Sequence, residues 1–210
     1  MERIAKTYMR NPAVVYIGDQ GSSKENITQE VFVLKENKKK DKLTEMLASG
    51  MQPPIIIFCN GKRGCDVLGK SLDKQGFPTA VIHSGKDQAT REQAIDGFKS
   101  GEFEILVATD IAGRGIDIEG VAHVINYDMP KDIESYTHRI GRTGRAGKKG
   151  NAATFVTGEG IEENVLWDLK NMLEKCKQPV PPDLSRHPAC IDPEQREYRK
   201  KHPKVVEAKK

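Results

Sequence analysis

Three arginines fall within seven residues in Tyr136-Thr137-His138-Arg139-Ile140-Gly141-Arg142-Thr143-Gly144-Arg145-Ala146-Gly147, interleaved with glycines. Glycine weakens a helix and neighbouring like charges repel, so the pattern gives a packed framework little. Planar, bidentate guanidiniums on a glycine-flanked turn suit a triphosphate, whose developing charge arginine fingers stabilise. The bland alternative is a basic surface turn. Three further segments combine small residues with a hydroxyl or a positive charge: Thr109–Asp117, His83-Ser84-Gly85 with Gln88 and Arg91 following, and Asn60-Gly61-Lys62-Arg63-Gly64. Small residues let a backbone or a phosphate approach closely. Nothing in the sequence matches the phosphate-cradling G-x-x-x-x-G-K-[ST] loop, and no acidic tetrad for magnesium is evident. Arginines without a cradle are half of a composite site.

These segments follow short apolar runs. Strands are expected at Val14–Ile17, Glu30–Leu34, Pro54–Cys59, Thr79–Ile82, Ile105–Ala108, His123–Tyr127 and Ala152–Val156. Pro54–Cys59 is apolar throughout, as a strand buried on both faces requires. Helices are expected at Lys38–Ala48, Lys62–Gln75, Gln88–Lys99, Ile133–Ile140 and Glu162–Lys175. In the second of these, Cys65, Leu68 and Leu72 make one apolar stripe. Alternating strand and helix implies an α/β fold, a mostly parallel sheet with helices on both faces. Ligands of such sheets bind beyond the carboxyl ends of the strands, where the unusual segments lie. Residues 1–28 resemble a connector, 29–178 a folded domain, and 179–210 a proline-punctuated basic tail expected to be extended.

The net charge of +4 and pI of about 8.8 are compatible with nucleic acid without arguing for it alone. Cys59, Cys65, Cys176 and Cys190 form no CxxC pair, which points to reduced core thiols in an intracellular compartment rather than zinc. No apolar run approaches a membrane span, and the first residues carry no apolar signal core. Lys38-Lys39-Lys40 and Lys148-Lys149 are most simply solvated charge.

In order and wording, these segments resemble motifs IV, IVa, V and VI of the DEAD-box helicases, over roughly Thr28 to Lys175. Gly113 stands where that family more often has Ala or Ser. The resemblance implies a RecA-like domain, the second lobe of an ATP-dependent RNA helicase. Arg142 and Arg145 would then reach the ATP γ-phosphate and serve catalysis, and Asp117 would bind the ATP ribose. Gln88 and His138 would organise the lobe interface. Gly85, Arg91 and Thr109, with Asn60 and Lys62, would contact RNA backbone, and Arg114 would touch RNA or brace its loop. Such contacts fix position without reading sequence, and no exposed aromatic cluster suggests base stacking. The N-terminal lobe would be the essential partner and would hold Mg2+, so this chain by itself, a monomer, should be inactive. Arg10–Gly18, Asn126-Tyr127-Asp128-Met129 and Pro181–Pro188 further resemble the splicing members of the family. That likeness implies a nuclear protein working with U5 small nuclear ribonucleoprotein proteins on pairing between the 5′ splice site and U1 RNA. The alternatives are a non-catalytic RNA-binding scaffold, a DNA helicase lobe, or a DEAD-box lobe acting elsewhere in RNA metabolism.

Overall fold

A computed structural model describes residues 26–110, 118, 120–144 and 149–192. The expected strand at Val14–Ile17 lies outside them, as do Gly113, Arg114, Asp117, Arg145, Lys148 and residues 193–210. Six strands form one sheet: β1 (Ile27–Val33), β2 (Ile55–Phe58), β3 (Thr79–Ile82), β4 (Ile105–Ala108), β5 (His123–Asn126) and β6 (Gly150–Val156). Their order is β1-β6-β5-β2-β4-β3 and every pairing is parallel. The helices are α1 (Lys39–Ala48), α2 (Lys62–Lys74), α3 (Gln88–Ser100), α4 (Ile133–Ile140), α5 (Glu163–Lys175) and α6 (Pro182–Arg186).

The central strands divide their side chains between two cores. Ile55 and Ile57 of β2 and Ile105 and Val107 of β4 meet Leu43 and Leu47 of α1 and Cys65, Leu68 and Leu72 of α2. Ile56, Phe58, Leu106 and Ala108 face the other way, into a core completed by α3, α4, α5 and α6. Both faces are thus covered, which is why β2 and β4 are apolar at every position. Gly76 and Gly101, both at positive φ, end α2 and α3 in the left-handed turn that glycine adopts without strain. No helix among the described residues is long and apolar enough to cross a membrane.

The structure corrects three readings. β1 starts at Ile27, within the expected connector, because Ile27 and Val31 are core residues and the polar Gln29 between them is buried too. Gln29 accepts from the buried Tyr136 hydroxyl at 3.0 Å, and its amide donates to Gln178 at 2.9 Å. The segment after 178 is folded as far as residue 190. Leu184, Ala189 and Cys190 pack against α5, and His187 accepts from the Ala189 amide to cap a final 3-10 turn. Lys39 is not solvated charge: at 2 % exposure it lies between Glu36 at 2.7 Å and Asp128 at 3.2 Å.

Candidate nucleotide and RNA edge

All six strands run the same way, so their carboxyl ends share one edge of the sheet. The chain order reverses around β2, which sits between β4 and β5. Such a switch point is where open α/β sheets hold ligands. Asn60 follows β2, Thr109 and Asp110 follow β4, and Asp128 follows β5. α4 brings Arg139 across all three ends.

Arg139 is 2 % exposed and uses its whole guanidinium. Nε and Nη2 fork onto the two Asp110 carboxylate oxygens, and Nη2 also donates to Asn60 Oδ1 at 2.8 Å. Nη1 donates to the Asp128 carbonyl at 2.7 Å, and the group lies 5.2 Å from the Phe58 ring centre. The network continues outward: Asn60 donates from its side chain to the Met129 carbonyl and from its backbone to Asp128 Oδ2, each at 2.9 Å. Asp128 Oδ1 holds Lys39. Burial would lower the Lys39 pKa, but its hydrogen bond to Glu36 and then Asp128 outweigh burial and raise it. Burial, followed by the charges of Glu36 and Asp128, pushes the neighbouring Tyr127 hydroxyl up to about 12.

One arginine of the motif is therefore a strut rather than a ligand group. The Asn60 side chain, expected on RNA, has both its oxygen and its nitrogen engaged internally. The signal for Arg139 was its phase. It sits between Tyr136 and Ile140, on the buried side of α4. Lys39 is likewise in phase with Leu43 and Leu47.

Arg142 differs. It follows Gly141, the C-terminal cap of α4, and its backbone is fixed at both ends: its amide donates to Arg139 and its carbonyl accepts from Val121. Its half-buried side chain borders a small apolar cavity lined by Phe58, Leu106 and Ile118, and it has no carboxylate partner among the described residues. Thr143, donating to the Val121 carbonyl at 2.6 Å, ties the same turn to the chain entering β5. His138 is exposed in the last turn of α4.

The remaining expected residues gather at the ends of the neighbouring strands β2, β4 and β3. Lys62 opens α2 and is exposed, and its Cδ lies 3.6 Å from where a Cβ on Gly85 would stand. Gly85 follows β3, and its amide donates to His83 Nδ1 at 3.1 Å. Arg91, in the first turns of α3, donates to Gln88, which in turn donates to Glu92. The buried Arg91 Nε and the Thr109 hydroxyl, in a residue 6 % exposed, have no hydrogen-bond partner. Buried polar groups are seldom left so, and an incoming acceptor is one remedy. Cys59 and Cys65, beneath this edge, are buried free thiols. Their mutual hydrogen bond and burial push the Cys59 pKa far above the thiol range, which makes it an inert core group.

Residues 38–147 match the model of the helicase conserved C-terminal domain. Over 189 residues the chain is 53% identical to a human protein named probable ATP-dependent RNA helicase DDX23, covering 90% of this chain and 23% of that protein. It is 48% identical over 199 residues to the pre-mRNA-splicing ATP-dependent RNA helicase prp28 of Sclerotinia sclerotiorum, covering 93% of this chain and 24% of that protein. The chain thus spans about a quarter of the length of these relatives. The crystal structure of the RNA helicase Prp28 from Chaetomium thermophilum bound to ADP superposes with a TM-score of 0.70 at 46% identity, over 89% of this chain and 45% of that one. With a six-stranded parallel sheet of RecA-like build and the matched motif segments on its carboxyl edge, the chain belongs to the helicase conserved C-terminal domain family of the DEAD-box proteins.

Proposed function

We propose that this chain is the second RecA-like lobe of an ATP-dependent DEAD-box RNA helicase that remodels RNA duplexes in pre-mRNA splicing. The observation that carries the reading is the contrast between Arg139 and Arg142. Arg139 spends every donor group inside the fold to set the turn, while Arg142, three residues on, is held by its backbone and has no carboxylate partner among the described residues. Arg142 and Arg145 supply the arginines for the γ-phosphate and Asp117 the ribose contact. ATP brings the phosphoryl group that the water attacks. The first lobe supplies the phosphate cradle, the Mg2+ ligands and the carboxylate that positions that water, none of which the sequence offers here.

On the same edge, Lys62, Gly85, Arg91 and Thr109 take RNA phosphates and sugars, and Asn60 acts as a brace for the site. Closure of the two lobes on ATP and RNA strains the duplex, and hydrolysis reopens them. The pre-mRNA-splicing name of the prp28 relative supports action in splicing. Nuclear location, U5 particle proteins as neighbours and the 5′ splice site–U1 pairing as target rest on the resemblance of the sequence motifs alone.

The test is RNA-stimulated ATP hydrolysis. The chain alone should show none, and the chain joined to its first lobe should turn over ATP. Arg142→Ala in the joined protein should then lower the rate by roughly 10³-fold. Turnover by the isolated chain, or full activity of R142A, refutes the reading.

A further inference from the structure

The β3–α3 turn is closed in an unusual manner. A backbone bond joins the Lys86 amide to the His83 carbonyl at 3.0 Å, and inside that turn the Gly85 amide donates to His83 Nδ1 at 3.1 Å. The ring is 5 % exposed, and its other nitrogen lies 3.1 Å from Asp66 Oδ2 on α2. The second Asp66 oxygen holds Lys86 at 2.9 Å. A nitrogen that accepts from an amide carries no proton, so Nε2 carries it and donates to Asp66. The ring is therefore uncharged in this arrangement and its tautomer is set. A Cβ on Gly85 would come within 3.0 Å of Nδ1, so the absence of a side chain there lets the amide seat on the ring.

We propose that His83 is a positioning residue for RNA: its neutral ring, oriented by Asp66, fixes the Ser84–Gly85 turn beside Lys62 in the shape that meets the nucleic-acid backbone. The inference rests on the RNA-lobe reading above and goes beyond it, because His83 presents no free group of its own to RNA. The charged groups around the turn are Asp66 and Lys62 on α2, Lys86 within it, Asp87 capping α3, and Asp110 at the end of β4. Asp66 is the one bonded to the ring. A proton on Nδ1 turns the acceptor into a donor facing the Gly85 N–H and opens the turn.

Asparagine at this position supplies a side-chain oxygen that accepts from the amide two residues on and does not titrate. The experiment measures binding of a short oligouridylate to the two-lobe protein, with a non-hydrolysable ATP analogue present, for wild type, His83→Asn and His83→Ala. At about pH 7.5, H83A should bind about three- to tenfold more weakly, the worth of one hydrogen bond, while H83N should bind as wild type. Equal binding by wild type and H83A, or H83N as weak as H83A, overturns the proposal. Should H83A not fold, H83N by itself still decides it: an acceptor in the same place keeps wild-type affinity, and a loss of about three- to tenfold overturns the proposal. Wild type that fails to bind the oligonucleotide overturns the lobe reading and this inference together, whereas wild type and H83A binding alike overturns the inference alone.

Discussion

A guanidinium taken out of water must find a partner for each donor group, and Arg139 finds them in Asp110, Asn60 and the Asp128 carbonyl. Lysine carries the charge but not the fork, so Arg139→Lys should destabilise the fold by about 3 kcal/mol, read as a lower Tm in calorimetry. Arg142→Ala should change stability by less than about 0.5 kcal/mol, since it loses no ion pair among the described residues. Similar losses in both would show that the division of labour between the two arginines is wrong. Lys39 makes a separate prediction. Folding raises its pKa above the ordinary 10.5, so its contribution is complete below that value and fades as pH climbs through the higher folded value. Wild type should therefore lose stability above about pH 10.5 more steeply than Lys39→Met in thermal melts, and parallel curves would rule this out. Neither residue's role was evident from charge. Both lie in phase with apolar neighbours, and only the carboxylates that the fold brings from 89 and 29 positions away make burial tolerable.

Among the elements, those with strong periodicity were legible. β3, β4 and α4 have the expected bounds, and α1, α2, α3 and α5 differ from them by one residue at one end. Their apolar spacing is a local property, and local properties are what a sequence displays. The exceptions depend on partners. The polar Gln29 breaks the apolar pattern of β1, yet it is buried, its side-chain oxygen accepting from Tyr136 and its backbone amide donating to Gln178. The glycine that seemed to serve chemistry at 144 also serves packing. It sits at φ +69°, and a Cβ there would stand 2.6 Å from Ile27 Cγ1. α6 has a signal that prolines obscured: Pro182 at the first helical position, then Asp183 in the first turn, is how helices start. Its Leu184 is fully buried, so Leu184→Ala should cost about 3 kcal/mol in denaturant unfolding. A variant as stable as wild type would mean that the domain ends before α6.

At the scale of the whole molecule, one edge of a parallel sheet gathers Arg142, Lys62, Gly85, Arg91 and Thr109, the described residues proposed for ATP and RNA. If Lys62 and Arg91 meet RNA phosphates, each should release about 0.7 of a counterion from a single strand on binding. The joint change Lys62→Ala and Arg91→Ala should then lower the slope of log affinity against log salt by about 1.4, equally for oligomers of different base. An unchanged slope would remove both residues from the RNA track. The first and last strands of the sheet lie side by side: β1 and β6 pair over seven residues in parallel register, with β1 at the sheet's rim. Tension applied along the chain at Ile27 would run lengthwise down β1. The hydrogen bonds of that ladder lie across the pull and resist it in shear, together, instead of parting one after another as in a zipper. The β1–β6 ladder would therefore resist a pull from the Ile27 side better than its rim position suggests.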